Sequence, residues 1–308
     1  MRRMVWPSNS TRITRRTSLL ALSALATPAW SEPLTVRYPN NITVADPQRN
    51  YVVDVLRLAL QHAGLHFELS AEAIEMSQLR TFMEIARGGS SLDLMWTMTN
   101  QQRESSAMIP IRIPIDKGLL GWRLLLVRKS DVDRWRHVAS IEDLKGMELV
   151  QGHDWPDTEI LKANGLHVGT SSDYNSLFRM LLRGRVDAFP RSVLEIGDEL
   201  KLHTSEDMAV APDLMLYYPA PFYFFVSPSR PELAEHVRHG MESCIADGSL
   251  NRLFNRYYHH LWPEFQLDGR RILRLDNPLL PPLTPLQRKE LWLLPNEPGP
   301  RAGVNPAA

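Results

Sequence analysis

Two threonines and an arginine follow one of the apolar runs of this sequence, where α/β proteins usually bind small molecules. The run that starts at Asp93 includes Thr97 and Thr99, and Arg103 follows in an otherwise uncharged turn. Ligands of open α/β sheets bind outside the carboxyl ends of the strands, and a guanidinium can fork onto a carboxylate. We expect these three residues to contact a ligand. Turn capping by the threonines and a salt bridge from Arg103 are the structural alternatives.

Two aromatic residues lie near the same strand ends. Trp96 belongs to the run that carries the threonines, and Tyr38 closes the first predicted strand. Small-molecule pockets are lined mainly by apolar and aromatic side chains with a few polar groups. Trp96 is therefore a candidate for stacking on a ligand, with burial in the core as the alternative, and Tyr38 is a candidate for lining the cleft.

Two further strand ends carry polar residues. Gly152, His153 and Asp154 lie at a strand-to-helix turn, where backbone N–H groups can hold an anion. The alternative is that Asp154 simply caps the helix. Arg191 follows another predicted strand, and it either faces the cleft or pairs with Glu195.

Patterns typical of enzymes and metal sites are weak. His259 and His260 lack a third ligand at a spacing that suits zinc, and neither a Gly-x-Ser-x-Gly elbow nor a glycine-rich phosphate loop occurs. Cys244 is the single cysteine, so it cannot form a disulfide within the chain. We predict a protein that is not an enzyme and that uses no catalytic residue, no cofactor and no metal ion.

The charge distribution limits the partners. The formal net charge is zero, but the first 31 residues contain five arginines and no acid, so the remainder carries about −5. No cluster of Lys and Arg forms a phosphate-binding face, which argues against nucleic acid as a partner. We expect a monomer that binds a small molecule.

The N-terminal residues have the order of a secretory signal peptide. A basic stretch ends at Arg16, a short apolar stretch covers 18–26, and Ala29 and Ser31 are small residues before Glu32. The apolar stretch is too short to span about 30 Å of hydrocarbon as a helix. The pattern predicts a signal peptide over 1–31 and a periplasmic protein, with either Sec or twin-arginine export. An uncleaved anchor or a disordered tail is the alternative.

The order of elements along the rest of the chain is typical of an α/β fold. Strand and helix patterns alternate over 34–98, and a second such unit covers roughly 126–216. Apolar residues recur on one helical face over 51–63. The last forty residues are rich in proline, and we expect them to wrap the surface as a tail.

Several motifs, taken in order, resemble those of family 3 extracytoplasmic solute-binding proteins. They cover about 34–260 and comprise Asp93–Thr99 with Arg103, Leu124–Val127, Ile141–Gly146, Val150–Gly152, Gly184–Ala188 and Ile245–Leu250. A transporter substrate-binding subgroup is further marked by Gly152–Asp157, Phe189–Arg191 and Asn277–Pro281.

The resemblance implies two Rossmann-like lobes, joined by two hinge strands, that close on a ligand. The expected boundaries are 32–125 for the first part of lobe 1, 126–216 for lobe 2, 217–265 for the return to lobe 1 and 266–308 for a C-terminal extension. It also implies delivery of the solute to an inner-membrane ABC permease. A periplasmic sensor that reports to a membrane receptor and an enzyme on the same scaffold are the alternatives.

Two departures from the family bear on the ligand. Thr99 and Arg103 are four residues apart, whereas the amino-acid-binding members have three. The acid that pairs with the ligand ammonium in those members is replaced by Ser192, with Arg191 beside it. Two guanidinium groups at one cleft would repel each other unless an anion lay between them. We therefore expect a small polar solute that is anionic or amino-acid-like, with an acidic solute lacking a free amine favoured.

Overall fold

The computed structural model describes residues 1, 4, 32–41, 46, 48–203 and 207–295. The predicted signal peptide therefore lies outside the described residues, apart from Met1 and Met4, and so does the end of the proline-rich extension. The strands are β1 Leu34–Asn41, β2 Phe67–Ile74, β3 Leu94–Met98, β4 Ile109–Ile111, β5 Trp122–Arg128, β6 Glu148–Gly152, β7 His167–Ser171, β8 Ala188–Ser192, β9 Met208–Val210, β10 Leu214–Tyr217, β11 Phe222–Val226 and β12 Arg271–Arg274. The helices are α1 Arg49–His62, α2 Gln78–Ala86, α3 Gln101–Glu104, α4 Val132–Trp135, α5 Ile141–Leu144, α6 Pro156–Ala163, α7 Tyr174–Leu182, α8 Ile196–Leu202, α9 Pro231–Ala246, α10 Ser249–Tyr258 and α11 Leu261–Phe265.

These elements form two lobes. In the first lobe, β1 pairs with β2 in parallel, β11 lies antiparallel between β3 and β4, and α1, α2, α9 and α10 pack around these sheets. In the second lobe the strands follow the order β12-β10-β5-β8-β6-β7, with β9 also paired to β5, and α6 and α7 pack on this sheet. The predicted α/β fold with two lobes is confirmed, and the two predicted connections between the lobes are present.

The two predicted crossings between the lobes touch each other, and the chain also enters the second lobe between α10 and β12 and returns to the first lobe after β12. The first predicted crossing runs from β4 to β5 and the second from β10 to β11. Tyr218 N donates to Gly121 O at 3.3 Å. A Cβ on Gly121 would lie 2.0 Å from the Tyr218 carbonyl oxygen, so only glycine permits this close approach.

Helices α2 and α7 begin at residues that the local sequence marks as N-caps. The Ser77 side chain accepts from Arg80 N at the start of α2, and the Asp173 side chain accepts from Ser176 N at the start of α7. Gly88 adopts φ +73° just after α2. Ser and Asp before the first turn of a helix and Gly just after the last turn are the residue types usual at these positions.

Three local expectations were wrong. Strand β1 continues through Pro39 to Asn41, because β1 pairs only with β2 and leaves its other edge without a ladder. The N-cap of α6 is Trp155, so Asp154 does not cap it. The extension after residue 266 is more than a surface tail, since it adds β12 beside β10 and buries Leu273 and Trp292.

No helix in the described part of the chain is both long and apolar enough to span a bilayer.

Candidate functional site

A cavity of about 310 Å³ lies between the lobes. The walls include residues from both lobes, among them Gln48, Gln78, Trp96, Asp154, Trp155 and Glu195. This is the size of a small-molecule pocket, and its position between two lobes is a usual one.

Arg103 is buried directly behind the first-lobe wall. The guanidinium donates to Thr97 Oγ1 and Met98 O at 2.5 Å and to Gln78 Oε1 at 3.2 Å. These acceptors are all neutral, and burial lowers the pKa of Arg103 to about 10. The carboxylates of Asp154 and Asp157 lie near enough to favour its charged form. The predicted contact Arg103 therefore does not line the cavity itself, but it donates to Gln78 and Met98, which do.

The two threonines support this arrangement and do not line the cavity. Thr97 Oγ1 donates to Gln78 Oε1 at 2.7 Å while accepting from Arg103. Thr99 Oγ1 donates to Glu104 Oε1 at 3.0 Å. Both side chains are fully buried, so each holds its neighbours in place.

Trp96 lines the cavity, and Tyr38 packs against the Trp96 ring. Their ring centroids are 5.7 Å apart, and Trp96 Nε1 donates to Asp46 Oδ2 at 2.9 Å. Trp96 is only 6% exposed. Tyr38 therefore supports the wall, and Trp96 offers a small part of its surface to a ligand.

Arg191 lines the cavity, but carboxylates already neutralise it. Its Nε and Nη2 donate to Glu199 at 2.6–2.9 Å, and Nη2 lies 3.1 Å from Glu195 Oε2. The guanidinium also lies 4.9 Å from the ring centroid of Trp155. This pairing removes the part of the argument for an anionic solute that depended on an unpaired Arg191.

A buried ion pair missed by the sequence analysis lies beside it. Arg123 Nη2 is 2.5 Å from Asp157 Oδ1, and the Tyr218 hydroxyl donates to the same carboxylate. Arg123 Nη1 is 3.7 Å from Glu195 Oε2. The one sign of this ion pair in the sequence was the charged residue Arg123 at the start of the apolar run that forms β5.

The turn after β6 presents a carboxylate to the cavity, and two of its N–H groups are already used. His153 N donates to Ser171 O and Trp155 N to Gly152 O. Gly152 and Asp154 line the cavity, whereas the His153 side chain is more than half exposed. The Asp154 carboxylate lies 3.7 Å from His153 Nδ1. Thus Asp154 supplies an acid at the cleft, although Ser192 replaces the acid expected on β8.

Glu195 is a further carboxyl group at the cavity, which Asp46, Asp154 and Asp157 also line. Burial and the neighbouring Glu199 raise the pKa of Glu195, while Arg191 and Arg123 oppose this. Glu195 Oε2 also accepts from Ser192 N at 3.2 Å. Within the described residues, no group of three or more His, Cys, Asp or Glu side chains is arranged to hold a metal ion.

Comparisons with solved structures identify the fold. An ancestral arginine-binding protein bound to arginine matches with a TM-score of 0.53 at 17% identity, over 73% of this chain and 98% of that one. The GluR0 ligand-binding core from Nostoc punctiforme, in complex with L-glutamate, matches with a TM-score of 0.51 at 13% identity, over 73% and 99%. The chain therefore has the two-lobed fold of periplasmic amino-acid-binding proteins, as the sequence motifs indicated.

A third match is to an ancestral relative of an enzyme. An ancestral amino-acid-binding protein, a precursor of cyclohexadienyl dehydratase, has a TM-score of 0.52 at 15% identity, over 73% of this chain and 95% of that one. No family model and no curated protein matches the sequence. At these identities, likeness shows the fold alone.

Proposed function

We propose that this protein captures a small amino-acid-like solute in the cavity between its lobes. The observation that carries the proposal is a guanidinium behind the first-lobe wall and a carboxylate on the second-lobe wall, neither of which makes an ion pair with Arg, Lys, Asp or Glu within the described residues. Arg103 is a buried guanidinium with neutral hydrogen-bond partners, and Asp154 is a cavity carboxylate that lies 3.7 Å from an exposed histidine. Asp154 and Asp157 favour the charged form of Arg103 without bonding to it, and a buried charge without a paired, hydrogen-bonded opposite charge is costly. A solute with a carboxylate and an ammonium group would compensate both.

The remaining charges of the second-lobe wall make a solute with a single negative charge less suitable. Arg123 is paired with Asp157, and Arg191 with Glu199 and Glu195. These guanidinium groups already have partners. A purely anionic solute would place its charge near Asp154 without compensation.

Calorimetric titration tests this proposal. The standard amino acids are screened first by thermal shift, and the strongest is compared with its N-acetyl and C-amide forms. We expect each modified form to bind at least 30-fold more weakly, which corresponds to about 2 kcal/mol. Asp154→Asn should weaken the amino acid in the same way, with His153→Gln as the matched control. The proposal fails if no amino acid binds, or if the N-acetyl form binds equally well.

An enzyme on the same scaffold is the second candidate, because Glu195 is a cavity carboxyl group with a raised pKa. Its neighbours Arg191 and Arg123 favour the ionised form, which argues against proton donation. Mass spectrometry of solutes after prolonged incubation distinguishes the two functions. Binding alone returns them unchanged, whereas catalysis yields a product that Glu195→Gln abolishes.

Delivery to an ABC permease after export to the periplasm completes the proposal, with a membrane receptor as the alternative recipient. Supporting features are the signal-peptide pattern and the two-lobed fold. N-terminal sequencing of periplasmic protein should give a chain that begins near Glu32. A chain that begins at Met1 would contradict cleavage.

A further inference from the structure

The segment over 276–293, here called the C-terminal strap, contacts both lobes in succession. It leaves the second lobe at β12, where Leu275 N donates to Tyr217 O at 2.8 Å. Asp276 and Asn164, the C-cap of α6, then exchange two hydrogen bonds of 2.8 and 3.0 Å. Both contacts fix the start of the strap to the second lobe.

Three residues later the strap is attached to the first lobe. Leu279 O accepts from Gln101 N, the first residue of α3, at 3.1 Å. Between these attachments, Asn277 Nδ2 donates to Pro219 O on the second crossing at 2.8 Å. Thus one short stretch contacts the second lobe, a crossing and the first lobe.

The far end of the strap is held by the first lobe and by the other crossing. Arg288 forks onto Glu242 of α9 with bonds of 2.6 and 2.9 Å. Leu293 N donates to Lys117 O, and the Trp292 ring covers Gly118 so closely that a Cβ there would lie 2.6 Å away. Both crossings therefore touch the strap.

The length of the first stretch limits how far its two attachments can separate. Three fully extended residues span roughly 10 Å. The stretch is not fully extended, since Leu279 N donates to Asn277 Oδ1 and Leu280 N to Asn277 O. One attachment must therefore break before Asp276 and Leu279 separate by more than roughly 10 Å.

We propose that the C-terminal strap limits the opening of the cleft. Opening would pull Asn164 away from Gln101, and the strap would resist this as a short tether. The inference depends on the two-lobed fold and not on the identity of the solute. The solved structures above match about three quarters of this chain while covering nearly all of their own, so the chain has additional residues from which to build such a device.

The test lengthens the tether in the full chain without any solute. Gly-Ser-Gly-Ser is inserted between Asn277 and Pro278, and the matched control has the same insertion after Gly146, where a Cβ would meet nothing within 4 Å. Spin labels on Arg87→Cys and Lys201→Cys report the distance between lobes, since both side chains are exposed and the native Cys244 is buried. X-ray scattering reports the radius of gyration.

We expect the tether insertion to broaden the label distances, shift their mean by several ångströms and raise the radius of gyration. The control insertion should leave both unchanged. Asn164→Ala removes the two bonds to Asp276 and should give a smaller broadening, which provides the test if the inserted protein does not fold. The proposal is overturned if the tether insertion gives label distances that match those of the wild type. If the inserted protein does not fold, the same result in a folded Asn164→Ala variant overturns it.

Discussion

At the scale of single residues, the second-lobe wall depends on charges that are buried together. Arg191 and Glu199 are 4% and 2% exposed, and a forked pair of hydrogen bonds joins them. A buried pair of this kind is weak support for stability, but removing one partner leaves the other charge buried alone. The wall is therefore sensitive to single substitutions.

Arg191→Met should destabilise the fold by about 3–5 kcal/mol, because Glu199 and Glu195 lose their shared cation. Urea unfolding measures the change. Adding Glu199→Leu should restore part of the loss, since both members of the buried pair are then apolar. Arg179→Gln, in an exposed pair with Asp173, is the control and should have little effect. If Arg191→Met and the control change the free energy of unfolding equally, the buried pair does not contribute to stability.

A second residue should make stability depend on pH. Asp116 is fully buried and accepts from Gly118 N and Leu120 N, and burial raises its pKa to about 7. The folded state then holds this proton more tightly than the unfolded chain, whose carboxyl pKa is about 3.9. Stability from this group therefore falls as pH rises from about 4 to 7 and is constant above that.

Asp116→Asn should remove this part of the pH dependence. The measurement is the difference in unfolding free energy between wild type and variant at pH 4.5, 6 and 8. The wild type should lose stability relative to the variant as pH increases. Asp198→Asn on the surface is the control. A constant difference across the three pH values would contradict a raised pKa at Asp116.

At the scale of elements, α1 and α9 pack unusually closely in the first lobe. A Cβ on Gly240 of α9 would lie 1.9 Å from Ala59 O of α1. This is backbone, so the helices themselves must separate to admit a methyl group. Gly240→Ala should cost about 1–3 kcal/mol, although alanine favours an isolated helix. Gly146→Ala, where a Cβ meets nothing within 4 Å, is the control. Thermal unfolding that ranks the two variants equally would argue against this packing.

Elements with local signals could be predicted from the sequence, and those defined by distant partners could not. Ser77 and Asp173 cap helices through bonds to residues three positions away, which the sequence displays. The partners of Arg123 and Arg191 depend on how β5, β8, α6 and α8 are placed in space. Strand β12 was missed because its four residues form a strand only beside β10.

The candidate site shows the same division between features with local sequence signals and features defined by distant partners. The sequence identified the strand ends, and Trp96, Gly152, Asp154 and Arg191 do line the cavity. It gave the pairing of Arg191 with Glu195 only as an alternative to a cleft contact, and it missed Glu199, which reaches Arg191 across a turn. It could not show that Thr97 and Thr99 support the wall and do not line it.

At the scale of the whole molecule, binding should change the separation of the lobes. From Pro33 onward the residues that the structure describes form one compact unit, and the strap bridges its two lobes, so the open state is expected to be only slightly wider than the closed one. A solute that contacts both walls binds the closed state better and shifts the population toward it.

X-ray scattering should therefore show a small decrease in the radius of gyration when a saturating solute is added. The decrease should be larger in the tether insertion, because that protein starts from a wider opening. The same solute at 100 times its dissociation constant should stabilise the fold by about 2.7 kcal/mol. Stabilisation together with superimposable scattering curves in the tether insertion would show that the solute binds without closure. In that case the two walls already stand at their final separation, and the cavity of about 310 Å³ is preformed.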